Sequence, residues 1–79
     1  MIAFMGLKFM YVSTVNKFLN SCNSYDYVKD TNDFIHAFLT SCIDQSNFNG
    51  RDKVYMKNEL DRIKEYLDLK IFSYYNCVC

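Results

Sequence analysis

From about Arg51 to Asp68 the chain sets apolar residues at steps of three and four, and this stretch constrains the fold more than any other. Met56, Leu60, Ile63 and Leu67 form the stripe, and Ile71 and Tyr74 continue it. Lys57, Glu59, Asp61, Arg62, Lys64, Glu65 and Asp68 fill the positions between. The spacing predicts an amphipathic helix with one face for a core and one for water. Lys57–Asp61 and Lys64–Asp68 are opposite charges four apart, each supporting a helix by roughly 0.2–0.5 kcal/mol. Asp52 suits the positive end of the helix dipole. After Lys70 the character changes: the tail to Cys79 is apolar, aromatic and nearly uncharged. It can extend the helix, form a strand, or cross to cover another face.

Two polar breaks divide the rest. Asp44-Gln-Ser-Asn-Phe-Asn-Gly50 is turn-forming, with Asn49-Gly50 a strong turn dipeptide. Asn23-Ser-Tyr-Asp26 begins the other, which stays polar to Asp30. Before it, Val12, Val15, Leu19 and Cys22 recur at helical spacing, with Phe18 beside them and Asn16, Lys17 and Asn20 facing away. Residues before Ser13 fit a helix through Met5, Phe9 and Val12, or a strand through Leu7, Phe9 and Tyr11. One continuous helix is the favoured reading. The middle segment is expected to start at Thr31 as N-cap with Asp33 in the first turn. Its broad stripe is Phe34, Ile35, Phe38, Leu39, Cys42 and Ile43, with His36 and Thr40 opposite. Phe18-Leu-Asn-Ser-Cys22 and Phe38-Leu-Thr-Ser-Cys42 match at four of five positions. That match reads more simply as two helix ends than as a solenoid repeat.

The 79 residues suffice for one domain, 1–79. Apolar residues make up 51% and aromatics 18%, with seven Phe and seven Tyr. This excludes disorder as the main state. It is also more apolar material than so short a core can hide, which leaves a surplus for the surface. Nine basic and nine acidic residues balance. A nucleic-acid binder usually has a basic excess, and in the third segment acids alternate with bases almost one for one. Nucleic acid is therefore a weak candidate, resting on a local patch with Lys8, Lys17 or Lys29. The early apolar run lacks a basic n-region and a cleavage site, and is too short to span a bilayer. The expected setting is cytoplasmic, with no membrane span; interfacial binding is the alternative. Abundant Asn, Lys, Tyr, Phe, Ile and Asp suggest an AT-rich genome, as in many phages, viruses and low-GC bacteria. A viral protein would act in the host cytoplasm.

No catalytic, cofactor or metal signature rises above background. A zinc site could draw on Cys22, Cys42, His36 and Cys77-Val78-Cys79, but the spacing is poor. A disulfide framework would want an oxidising compartment. In a helical hairpin Cys22 and Cys42 would sit at opposite ends, too far apart to bond. The simpler reading makes both of them small buried hydrophobes and the tail thiols incidental. His36 has Asp33 one turn before it but no nucleophile on the same face. The Gln45–Gly50 loop fails as a calcium loop, since Gln45 and Met56 occupy ligand positions that need carboxylates.

The expected fold is all-α, a small three- or four-helix bundle. The alternative is α+β, with Leu7–Val12 paired to a strand in Ile71–Val78. The expected function is a small non-enzymatic protein-binding module, such as a phage or viral inhibitor of a host factor, with no cofactor. A self-associating structural protein and a nucleic-acid-binding regulator are the alternatives. Tyr is enriched at binding hot spots, so the candidate partner-binding residues are Tyr55, Tyr66, Phe72, Tyr74 and Tyr75. A protein partner is expected, and a homo-oligomer is the second option.

Overall fold

A computed structural model describes residues 2–78, with side chains over 4–76. Among them lie three helices and no strand: α1 (Ile2–Leu19), α2 (Tyr25–Asp44) and α3 (Gly50–Val78). This is the expected all-α bundle, with three members and not four. The α+β alternative falls, because both of its strand segments are helical. The tail extends α3 to 29 residues. At about 1.5 Å per residue that is roughly 43 Å, close to the 45 Å length of the molecule.

Local chemistry sets the ends. At the close of α1 the Asn23 side chain donates to the Phe18 carbonyl at 2.8 Å. There Cys22 turns the chain in the left-handed region, at φ 60°. Ser24 caps α2, accepting from the Tyr27 amide at 3.2 Å. Thr31 is thus not the cap. It lies inside the helix and donates its hydroxyl to the Tyr27 carbonyl at 2.9 Å. The polar run to Asp30 is the outer face of two extra turns, anchored from inside by buried Val28. Asn49 caps α3, accepting from the Asp52 amide at 2.8 Å. Gly50 is the first helical residue, with no positive φ, so the Asn-Gly pair starts a helix here and makes no tight turn.

Cross-helix pairs give the topology. Lys8 meets Glu59 at 4.0 Å and Lys70 donates to Asn16 at 2.7 Å. Partners on α1 and α3 therefore rise together, and these helices run parallel. His36 meets Asp61 and Asp44 meets Lys57, so α2 runs against α3. The order is up-down-up.

Phe4, Tyr11, Val15 and Leu19 of α1 meet Val28, Leu39 and Ile43 of α2 and Met56, Leu60, Leu67 and Ile71 of α3. The α3 stripe is as expected, except that Tyr74 stays 40% exposed. The α2 stripe is rotated: Ile35, Leu39 and Ile43 face in, while Phe34 and Phe38 are 68% and 56% exposed. Fully buried in the core is Asn32. Cys22 and Cys42 are exposed free thiols, which corrects the reading of them as buried hydrophobes.

Candidate functional site

Asn32 ties all three helices together. The Tyr11 hydroxyl donates to its side-chain carbonyl. The Asn32 amide donates to Asp68 Oδ1 at 2.7 Å and to the Lys64 carbonyl at 3.4 Å. Lys64 Nζ then bridges Asp68 at 3.0 Å and Asp33 at 3.1 Å, and Lys29 lies 3.5 Å from Asp33. Burial, then the charges of Asp68 and Asp33, push the Tyr11 phenol far up. Burial also pushes the Asp33 carboxyl up, but Lys64 and Lys29 outweigh it and hold that carboxyl below the usual carboxylate range. Hydrogen bonds from Lys64 to Asp68 and Asp33 raise the ammonium, against the opposing effect of burial. In this network the chain's own groups satisfy one another. It is a structural knot that ties the three helices together.

His36 does not pair with Asp33 as its spacing suggests. It reaches across to Asp61 on α3, with Nε2 at 2.6 Å from Oδ1. Lys57 likewise bonds Asp44 of α2 and not Asp61 of its own helix. Among the described residues no three His, Cys, Asp or Glu groups converge on a metal position. Cys42 borders Phe4 near the start of α1, and Cys22 follows its end, so the two thiols stand at opposite ends of the bundle. The side chains of Cys77 and Cys79 lie outside the described residues. Many α3 cations are engaged within the protein: Lys57 with Asp44, Lys64 with Asp33 and Asp68, Lys70 with Asn16, and Arg62 with Glu59 at 3.8 Å. Among the described residues no helix is long and apolar enough to cross a membrane.

The surplus aromatics form the more open feature. Tyr75 is held at the Cys22 end, donating its hydroxyl to the Asn23 carbonyl at 2.5 Å. Its ring meets Tyr25 edge-on at 5.5 Å and Tyr74 at 5.2 Å. Burial, then Tyr74 and Cys22, push its phenol up. Tyr25, Phe72, Tyr75 and Asn76 line a depression of about 360 Å³. Phe72 is 57% exposed at its rim. No charged residue occurs from Ile71 to Asn76, so this stretch offers aromatic and apolar contact without formal charge.

Of the five residues picked from sequence, Phe72 and Tyr75 come together here, and Tyr74 touches the Tyr75 ring from another side of α3. Tyr55 and Tyr66 are exposed but separate. Tyr66 is six residues before Phe72, about 9 Å along the axis, and Tyr55 is seventeen before it, about 25 Å. Tyr25 was not picked. Its only sequence signal is its place just after the Ser24 cap, which turns it toward the last turns of an antiparallel α3. Phe34 and Phe38, stacked at 6.3 Å on the outer side of α2, were assigned to the core. No protein-family model, no curated protein and no solved structure matches the chain.

Proposed function

We propose that the protein is a small non-enzymatic protein-binding module whose aromatic end takes an apolar side chain of a partner. The observation that carries this is the exposed Phe72 ring beside a Tyr25–Tyr75 pair already held by ring contact and by the Asn23 carbonyl. Aromatic groups fixed in advance lose little rotamer freedom on binding, and such anchors dominate interface energetics. Tyr74 widens the surface. Tyr66 and Tyr55 would add to it for a partner lying along α3. The AT-rich residue usage makes a host factor of a phage or virus the first class of partner to test.

Selection of displayed peptides on the immobilised protein tests the reading. Peptides with a Leu, Met or aromatic anchor are expected to enrich. Phe72→Ala should weaken them roughly tenfold, as for a hot-spot truncation of about 1.4 kcal/mol. Its melting should change little, because the ring is exposed. Failure to enrich any sequence, or binding indifferent to Phe72→Ala, removes the aromatic end as the site.

A further inference from the structure

Ion pairs bridge α2 and α3 along most of the seam between them. Asp44 meets Lys57, His36 meets Asp61, and Asp33 meets Lys64. The seam runs on to the Cys22 end, where the same register calls for one more rung. Asp26 is eighteen residues before Asp44, and Tyr75 is eighteen after Lys57. Eighteen residues make five whole turns, about 27 Å. Asp26 therefore leaves α2 at the angle of Asp44, and Tyr75 leaves α3 at the angle of Lys57. The Tyr25–Tyr75 ring contact puts the two at one level. This last rung has its carboxylate and lacks its cation: a tyrosine stands where the lysine would.

No cation of the chain takes that place. Asp26 is exposed, and among the described residues it has no ion-pair partner. Lys29, the nearest base along α2, lies against Asp33. Lys70 donates to Asn16 on the α1 side, and Lys17 belongs to α1, across the bundle from this seam. From Ile71 to Cys79 the sequence holds no Lys or Arg. The helix ends deepen the imbalance. α1 and α3 end here and only α2 begins, so two negative dipole ends meet one positive end. Asp26 in the first turn of α2 offsets that positive end.

We propose that the aromatic end takes an arginine of its protein partner, with the guanidinium on Asp26 and its flat face against Phe72 and Tyr75. This rests on the protein-binding reading of the same end and names the residue that accompanies the apolar anchor. The rings offer faces to a cation: Phe72 is exposed, and Tyr75 is held by Tyr25 and by the Asn23 carbonyl. Asn76, on the same depression, adds an amide oxygen that can accept an N–H. Arginine fits better than lysine, because a planar guanidinium stacks on a ring while donating in its own plane, and it sheds water more readily than an ammonium. An acidic partner residue would meet the like charge of Asp26.

NMR titration of the full chain at low salt tests it with two probes, N-acetyl-arginine methylamide and its neutral isostere N-acetyl-citrulline methylamide. The arginine compound should shift the amides of Tyr25, Asp26, Phe72 and Asn76, with a Kd on the order of millimolar for so small a ligand. The citrulline compound should leave them in place. Asp26→Asn should weaken the arginine response about threefold, as for an exposed ion pair. Phe72→Ala should weaken it by about the same factor, through the lost ring face. Asp52→Asn, which removes a charge at the other end of the bundle, should change nothing. Equal shifts from both probes overturn the proposal, as do no shifts from either, or an arginine response indifferent to Asp26→Asn. Selection of displayed peptides can still return apolar anchors when the arginine probe fails, so the failure of this proposal and that of the binding reading are told apart.

Discussion

Asn32 is the residue on which the three helices agree. Its partners lie 21 and 36 residues away, in Tyr11 and Asp68. Truncating it strands a buried phenol and weakens the hold on a carboxylate. Asn32→Ala is expected to cost about 2–4 kcal/mol in urea unfolding. Pairing Asn32→Leu with Tyr11→Phe should recover much of that, since matched apolar groups remove the unmet need on both sides. A strictly additive cycle would show that the two side chains are not coupled. The same network sets a pH window. Tyr11 and Lys64 hold their protons above the ordinary values of 10.0 and 10.5, so their contribution is full below pH 10 and is lost as pH rises further. Asp33 sits below its ordinary 3.8, so its contribution is present above that pH and is lost on further acidification. Melting temperature should be flattest between these limits, and Tyr11→Phe should soften the alkaline fall. None of this was visible in the sequence. An asparagine among Thr31, Asp33 and Asp30 reads as solvated, and nothing local marks partners so distant.

At the scale of the element, the choice of cap decides where α2 begins. Two hydroxyl residues compete, and the structure selects Ser24. Ser24→Ala is expected to cost about 1 kcal/mol. Thr31→Ala, inside the helix, should change stability by no more than about 0.5 kcal/mol. Chemical denaturation of the two variants side by side checks the assignment, and equal losses would contradict it. Thr31 was attractive because an apolar run follows it, while the turns before it look polar. That polar run is an outer face, and only Val28 hints at the core beneath it. In α3 the apolar period was clear from the start. Its continuation past Lys70 was not, because an uncharged aromatic tail suits a strand as well as a helix. Contact settles the matter: Ile71 is buried in the core and Tyr75 is bonded to Asn23.

The whole molecule is joined unevenly. Three ion pairs connect α2 to α3, one connects α1 to α3, and none connects α1 to α2 among the described residues. Hydrogen exchange on the protein should therefore show the early turns of α1 opening at lower free energy than Val28–Leu39 or Leu60–Leu67. Uniform protection across the three helices would contradict that order. What the sequence determined by itself is helicity and the α3 core face, because periodicity and charge spacing act within a few residues. The all-α fold followed once both ends proved helical. The candidate site was half legible: Phe72, Tyr74 and Tyr75 follow from composition, but Tyr25 joins them only because α2 runs back along α3. Tertiary structure alone decided that Asn32 goes in while Phe34 and Phe38 stay out. A helix of this composition can turn either face inward. The choice falls to hydrogen-bond partners on two other helices, which no local pattern encodes.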